Sequence, residues 1–314
     1  MVLEPTGTAP AGGWPIVAYG HGTTGVTPDC GPSGYPDLLG NAGTVATLLE
    51  SGWAVAVPDY QGLGTLVSNA QPHPYLEPRT AAFNMIDAVR AARQVFGDIS
   101  ATWAAMGSSQ GGQAAWAAAE QAGGYGAGLH FVGAAASAPA ADLSPIAQGA
   151  ATVFTPTQKM FIPMIFAGLK AQYPQLNSAD FFRGGIAANE QALTSCGPNY
   201  LQGRIAAALG IEPGDAAMSA ATADQLHVML AARALPQQSA AGPMYIAYGD
   251  QDQIIDVSWT TGAITRACAR GDVISSEIVA GKGHTDVGRS GQEISWLRDR
   301  FAARPAPNTC TASR

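Results

Sequence analysis

The fold is decided by one stretch of the sequence, Thr102-Trp-Ala-Ala-Met-Gly-Ser-Ser-Gln-Gly-Gly-Gln-Ala-Ala-Trp116. It begins with an apolar run typical of a buried strand, ends in a helical pattern, and has G-x-S-x-G between them. A nucleophilic serine on such a sharp turn has a strained backbone, so the residues two positions away must lack side chains. Gly107 and Gly111 meet this requirement for Ser109, whereas the corresponding neighbours of Ser108 carry side chains. We therefore predict Ser109 as a nucleophile.

Elsewhere in the chain, short apolar runs bounded by Gly and Pro alternate with helical patterns. This alternation is typical of a mostly parallel sheet that is covered by helices, so the sequence predicts an α/β fold. The predicted strands are Ile16–Tyr19, Trp53–Val57, Thr102–Met106, Phe131–Ala136, Met244–Tyr248 and Val273–Val279. The predicted helices are Thr80–Phe96, Gln110–Gln121, Val257–Arg270 and Gln292–Ala302.

One long segment departs from the alternation of strands and helices. Residues 143–241 contain several helical patterns but no convincing buried strand. Ligands of open α/β sheets bind beyond the carboxyl ends of the strands. We therefore expect this segment to form a helical cap, or lid, over that edge of the sheet; the alternative is a second packing layer with no role in binding. The cap would be an insertion in a core domain made of residues 1–142 and 242–314.

A serine hydroxyl is a weak nucleophile at neutral pH and needs a histidine base, which a carboxylate orients. After this type of turn, the partners follow in the order Ser, Asp or Glu, His. Three histidines follow Ser109. His130 precedes a strand, at the wrong end of the sheet, and His227 lies in the predicted cap. His284 lies in a glycine-rich loop directly after the last strand, so we predict His284 as the general base.

The orienting carboxylate should follow the strand before that histidine, where three aspartates are available. We favour Asp252. Asp250 is typical of a turn former, and Asp256 is typical of a helix N-cap. Asp286 is a weaker alternative because it is only two residues from His284, an awkward reach for orienting the ring.

Attack on a carbonyl produces an oxyanion, whose stabilisation is usually the largest electrostatic contribution to catalysis. The glycine-rich turn from His21 to Gly25 follows the first long strand and can present its backbone amides. We predict that the backbone N–H groups of Thr23 and Gln110 form the oxyanion hole. Thr24 is the second choice to Thr23, and a threonine hydroxyl is a further candidate donor.

The composition and net charge of the chain argue against several classes of protein. The chain has 314 residues, of which 47% are apolar, enough for a packed core. A net charge of -7 argues against nucleic acid as a partner. No apolar stretch approaches the roughly 20 residues that span a bilayer, so no transmembrane segment is expected. The 5 histidines lack the paired spacing of a metal site, and no metal is expected.

The four cysteines are informative about the cellular location of the protein. Four cysteines allow two disulfides in any of three pairings, or else four buried thiols. Two disulfides would indicate an exported protein. The first residues have neither the basic region nor the apolar region of a signal peptide. We expect a secreted or periplasmic protein whose signal peptide is not part of this sequence. The cysteines are Cys30, Cys196, Cys268 and Cys310.

Several motifs occur together in this chain: His21-Gly-Thr-Thr-Gly25, Asp59-Tyr-Gln-Gly-Leu-Gly64, Pro72-His-Pro-Tyr75, the serine turn Gly107–Gly111, and Gly281-Lys-Gly-His284. Together they resemble the secretory lipase family of α/β-hydrolases, which includes bacterial exported lipases and esterases and the yeast lipase A type. The first two motifs are the most specific, since the serine turn is shared across the superfamily. The likeness runs from about Trp14 to His284, and the cap matches only loosely.

The resemblance implies an α/β-hydrolase fold with a helical cap and hydrolysis of carboxylic esters without a cofactor. It also implies two disulfides, Cys30–Cys196, which would tie the cap to the floor of the site, and Cys268–Cys310. We therefore expect a serine carboxylic-ester hydrolase that acts on small-molecule or lipid esters through an acyl-enzyme intermediate. The alternatives are an acyltransferase or a peptidase with the same three residues, or a ligand-binding protein without catalysis.

Some conspicuous residues keep two interpretations. Asp59 and Tyr60 follow a strand and either line the site or make structural contacts in a turn. His73 is interpreted as a loop residue rather than a ligand. The apolar cluster of residues 160–166 is either the core of the cap or an acyl-binding wall.

Overall fold

The apolar runs of the sequence form the strands of one central sheet. The structure is a computed structural model, and it describes residues 1–64, 71–147, 154–196, 200–289 and 291–310. The strands are β1 (Val2–Leu3), β2 (Trp14–Gly20), β3 (Ala54–Ala56), β4 (Ile99–Ser108), β5 (His130–Ser137), β6 (Met244–Gly249) and β7 (Ile274–Val279). Their order in the sheet is β1-β3-β2-β4-β5-β6-β7. Only β1 pairs antiparallel among these strands, and the predicted α/β fold is confirmed.

All six predicted strands are present, with ends that differ by a few residues. The prediction missed β1, which consists of two residues that pair with β3 at the edge of the sheet. A strand of two residues has no periodicity to detect, because its existence depends on hydrogen bonds to a distant partner. The prediction also placed the end of β4 too early, at Met106, whereas the strand continues to Ser108.

Helices cover both faces of the sheet. Met85 and Trp116, on the second and third helices, belong to the core on one face, and Leu48 and Leu297, on the first and last, belong to the core on the other. None of the helices in the described ranges combines the length and the hydrophobicity that a membrane span needs. The α-helices are α1 (Ala42–Glu50), α2 (Pro78–Val95), α3 (Gln110–Tyr125), α4 (Pro156–Lys159), α5 (Ile162–Lys170), α6 (Gly184–Ala188), α7 (Glu190–Thr194), α8 (Tyr200–Leu209), α9 (Ala220–Ala231), α10 (Val257–Ala269) and α11 (Gln292–Phe301).

Helix α2 begins two residues earlier than the predicted start at Thr80. The Glu77 carboxylate accepts hydrogen bonds from the backbone N–H groups of Arg79 and Thr80, which satisfies donors that have no partner within the helix. Pro78 occupies the first helical position, where its missing N–H has no cost. The apolar face of this helix, predicted from its periodicity, is buried against the sheet and α3.

Six helices, α4 to α9, lie between β5 and β6, and this connection contains no strand among its described residues. We call residues 138–243 the helical insertion. It has an apolar core of its own, in which the Phe166 ring packs 5.3 Å from that of Phe181 and 5.6 Å from that of Phe182. Parts of the predicted cap, residues 148–153 and 197–199, lie outside the described residues.

Two disulfides join distant parts of the chain, and both expected pairings are confirmed. Cys30–Cys196 links the segment after β2 to the helical insertion. Cys268–Cys310 links the last turn of α10 to the segment after α11. Each bond restricts the unfolded chain and typically contributes about 2–4 kcal/mol to stability.

Candidate active site

The turn between β4 and α3 has the geometry that the sequence predicts. Ser109 has φ 58° and ψ -119°, a conformation that residues with side chains rarely adopt. A Cβ at Gly107 would lie 2.3 Å from the Gly111 carbonyl oxygen, and one at Gly111 would lie 1.8 Å from the carbonyl oxygen of Gly20. Both glycines are therefore required, because β2, β4 and α3 approach each other closely here.

His284 lies beside Ser109 although 175 positions separate them in the sequence. Its Nε2 is 2.8 Å from Ser109 Oγ, and it follows β7 in a loop held by two aspartates. The Asp250 carboxylate accepts a hydrogen bond from Gly281 N–H, and Asp286 accepts one from Gly283 N–H, each at 2.7 Å. These two aspartates, which were weaker candidates for the orienting acid, position the loop instead.

Asp252 contacts the other ring nitrogen of His284, with Oδ2 2.7 Å from Nδ1. Its Oδ1 accepts hydrogen bonds from the backbone N–H groups of Ile254 and Ile255 at 2.8 and 2.9 Å. With its side chain only 2% exposed, the carboxylate is stabilised by these donors rather than by water. Asp256 instead caps α10 by accepting a hydrogen bond from Ser258 N–H. The hydrogen bonds therefore form one series from Asp252 through His284 to Ser109.

The turn at Thr23 lies against the serine turn. The Cα atom of Gly22 is close enough to Ser108 that a Cβ would be 3.6 Å from the Ser108 carbonyl oxygen. Gln110 is the first residue of α3, so its backbone N–H has no acceptor within the helix. Thr23 Oγ1 makes a 2.8 Å hydrogen bond with the hydroxyl of Tyr75. Sequence reasoning noticed Tyr75 only as part of a motif and assigned it no role.

His73 contacts this site through Gln110, a connection that sequence reasoning missed. The Gln110 side-chain amide donates to His73 Nε2 at 3.0 Å, and His73 Nδ1 donates to the Gln61 carbonyl at 2.8 Å. Burial lowers the pKa of His73 to about 4, so the ring is neutral near pH 7 and Nε2 can accept. The only signal in the sequence was the unusual Pro-His-Pro context.

Asp59, Tyr60 and His227 make structural contacts. The Asp59 carboxylate accepts hydrogen bonds from the backbone and hydroxyl of Ser33, which are contacts of a turn. The Tyr60 hydroxyl donates to the His21 carbonyl at 3.2 Å. His227 packs in the helical insertion, with Nδ1 2.8 Å from the Ser144 carbonyl oxygen.

A small cavity of about 30 Å³ lies beside Ser109, between the helical insertion and the loop that follows Asp252. Its lining is mostly apolar. Of the cluster at residues 160–166, only Phe161 and Ile165 reach this cavity, whereas Met164 and Phe166 lie in the core of the insertion. The cluster therefore contributes both to the core of the insertion and to the lining of this cavity. The other apolar lining residues include Leu76, Leu143, Ile146, Ile254 and Ile255.

One group of side chains in the described ranges has the residue types and spacing of metal ligands, namely Asp29, Cys30 and Cys196. The two cysteines are joined in a disulfide, so neither offers a thiolate to a metal. The group is therefore not a metal site.

The sheet, the strained serine turn and the insertion before β6 define an α/β-hydrolase. The profile of the secretory lipase family matches residues 41–309, and the chain belongs to this family. Among solved structures, it is similar to Candida antarctica lipase A in its closed state, with a TM-score of 0.72 and 16% sequence identity. The match covers 99% of this chain and 75% of that chain. It is also similar to a rice cell wall degrading esterase, LipA, from Xanthomonas oryzae, with a TM-score of 0.73 and 20% sequence identity. That match covers 96% of this chain and 84% of the esterase chain. A search of curated proteins gave no match.

Proposed function

We propose that this member of the secretory lipase family is a serine carboxylic-ester hydrolase with Ser109, His284 and Asp252 as its catalytic triad. The observation that carries the proposal is the continuous series of hydrogen bonds from Asp252 to His284 at 2.7 Å and from His284 to Ser109 at 2.8 Å. It lies at the carboxyl ends of the strands, beside an apolar cavity.

In the acylation step, Ser109 Oγ attacks the carbonyl carbon of the ester while His284 Nε2 accepts the hydroxyl proton. The carbonyl π electrons move to oxygen and form the oxyanion. When the tetrahedral intermediate collapses, the bond to the alcohol oxygen breaks, and Nε2 gives its proton to the leaving alcohol. Asp252 holds the ring with Nδ1–H towards the carboxylate and stabilises the imidazolium that forms.

Deacylation repeats these steps with water as the nucleophile. Water attacks the acyl carbon as His284 Nε2 takes its proton. Collapse of the second intermediate breaks the bond to Ser109 Oγ, which receives the proton from Nε2, and the carboxylic acid leaves. These steps need no cofactor, because they transfer only protons and the acyl group.

The oxyanion is held by the backbone N–H groups of Thr23 and Gln110. Tyr75 supports a third donor, since either hydroxyl of the Thr23–Tyr75 pair can donate, and donation by Tyr75 leaves the threonine hydrogen free to point at the oxyanion. Loss of one such donor commonly costs about 10²–10³ in kcat.

In this proposal, the helical insertion, with residues 143–241 as its main part, acts as the cap over the core domain. The Cys30–Cys196 bond fixes one part of it beside the Thr23 turn. The family and the two disulfides fit an extracellular or periplasmic location, and we infer that the protein acts there on ester substrates.

Hydrolysis of p-nitrophenyl butanoate by three forms of the protein tests the proposal. We expect Ser109→Ala to lower kcat by a factor on the order of 10⁶, because a triad works as a unit. Ser108→Ala is the matched control, since it removes a neighbouring hydroxyl and should retain activity. Product analysis with added methanol separates hydrolysis, which yields the free acid, from acyl transfer, which yields the methyl ester. Full activity in Ser109→Ala would reject the proposal.

A further inference from the structure

The strained backbone of Ser109 is held by residues 137–140, which we call the supporting segment. Ser109 N–H donates to the Ser137 carbonyl oxygen at 2.9 Å, and Ala140 N–H donates to the Ser109 carbonyl oxygen at 3.1 Å. Ala138, between these two partners, also has a positive φ, 41°. Residues with side chains keep such conformations only where the surrounding structure fixes them. The conformation of Ser109 therefore depends on what fixes the supporting segment.

A buried carboxyl group contacts the supporting segment from a distant helix. Ser137 Oγ donates to Glu293 Oε1 at 2.6 Å, and Ser137 is the only residue of the segment with a polar side chain. Glu293 lies in the first turn of α11 and is 1% exposed. Its Oε2 has no hydrogen-bond partner among the described residues. A carboxyl group is costly to bury with so little compensation, so stability alone does not account for it.

The Ser137–Glu293 pair also lies against the chain that follows the general base. A Cβ at Gly288 would be 3.2 Å from Ser137 Oγ and 3.6 Å from Glu293 Oε1. Gly288 is only four residues after His284. The pair therefore lies between the segment that supports the nucleophile and the loop that carries the base.

We propose, on the basis of the proposed ester hydrolysis, that Glu293 is a positioning residue. Through Ser137 it fixes the supporting segment and thereby holds Ser109 Oγ at 2.8 Å from His284 Nε2, the distance that proton transfer requires. Glu293 does not line the cavity beside Ser109, so it does not contact the substrate. Its loss should therefore lower kcat and leave KM nearly unchanged.

The test compares Glu293→Gln with Glu293→Met in the hydrolysis of p-nitrophenyl butanoate. Glutamine keeps an oxygen that can accept from Ser137 Oγ, whereas methionine keeps the length of the side chain and offers only a weak acceptor. We expect Glu293→Met to lower kcat at least about tenfold, since small displacements of reacting groups can cost about 10²-fold. Its KM should stay within about twofold of wild type. The glutamine variant should keep kcat within about threefold of wild type.

Glu120→Met is the matched control for the loss of a buried carboxyl group. Glu120 is 3% exposed and lies in α3, about three turns beyond Ser109. This variant should be less stable than wild type, but its kcat per folded molecule should stay within about twofold of the wild-type value. Thermal unfolding of each variant gives the folded fraction at the assay temperature.

Ser137→Ala tests the same hydrogen bond from its other partner, and does so even if Glu293→Met does not fold. It should also lower kcat without raising KM. Added to Glu293→Met, it should lower kcat by less than about twofold more, because both changes remove one interaction.

Three results would overturn the positioning role while leaving ester hydrolysis in place. These are wild-type kcat per folded molecule in both Glu293→Met and Ser137→Ala, equal losses of kcat in Glu293→Met and Glu120→Met, or equal losses in the methionine and glutamine variants of Glu293. Absence of Ser109-dependent hydrolysis in the wild-type protein would instead reject the proposed function, and the positioning role with it.

Discussion

At the residue scale, Gln110 contributes to the site through two different groups. Its backbone N–H is a proposed oxyanion donor, and its side-chain amide donates to His73 Nε2. His73 Nδ1 carries the ring proton because its neighbour, the Gln61 carbonyl, can only accept. Nε2 is therefore an acceptor as long as the ring is neutral. This series of contacts fixes the first residue of α3, which immediately follows the nucleophile.

We predict that His73→Phe destabilises the protein by about 1–3 kcal/mol and lowers kcat, because the buried Gln110 amide loses its acceptor. Phenylalanine keeps the aromatic contacts of His73 with Tyr60 and Tyr75. Urea unfolding and ester hydrolysis measure the two effects. In a Gln110→Met background the same substitution should cost less, since no donor is left unpaired. An equal cost in both backgrounds would show that the hydrogen bond contributes nothing.

At the scale of elements, α3 is attached to the end of the helical insertion. The Glu120 carboxylate accepts hydrogen bonds from the backbone N–H groups of Gln237 and Gln238 at 3.1 and 3.2 Å. The side chain is buried, and desolvation raises the pKa of Glu120 to about 7, with a smaller contribution from nearby Asp272. Arg270 and the two N–H donors oppose this shift. The segment that leads into β6 is therefore held to α3 by a carboxyl group whose pKa is near 7.

We predict that Glu120 contributes more stability at pH 5 than at pH 8, and that Glu120→Gln removes this contribution from the pH dependence of stability, to which His73 contributes with the opposite sign. A pKa raised from 4.5 to about 7 means that the folded state binds the proton more tightly than the unfolded state. The stabilisation is present below pH 4.5, decreases as the pH rises through 7, and amounts to about 3 kcal/mol. Thermal unfolding at a series of pH values measures it. The same pH dependence in Glu120→Gln and wild type would contradict the prediction.

At the scale of the whole molecule, the parts that sequence reasoning predicted depend on local patterns. Gly107 and Gly111 identify the serine turn because no other residue fits there. His284 and Asp252 were predicted because each follows the carboxyl end of a parallel strand, and such ends share one edge of the sheet. The six apolar strands were predictable because each is a short, continuous apolar run in the local sequence.

The missed features arise from contacts between distant residues. His73 and Gln110 are 37 positions apart, and Thr23 and Tyr75 are 52 apart, so neither pair leaves a local pattern. The cysteine pairing was likewise open from spacing, and the family resemblance was needed to select Cys30–Cys196.

The central claim is that Ser109 Oγ is the atom that becomes acylated, and covalent trapping tests it most directly. Diethyl p-nitrophenyl phosphate reacts with an activated serine, releases p-nitrophenol and leaves a stable diethylphosphoryl group on the oxygen. After peptide digestion and mass spectrometry, we predict one phosphorylated residue, Ser109, with labelling retained in Ser108→Ala and abolished in both Ser109→Ala and His284→Ala. Label on Ser108, or unchanged labelling without His284, would contradict the claim.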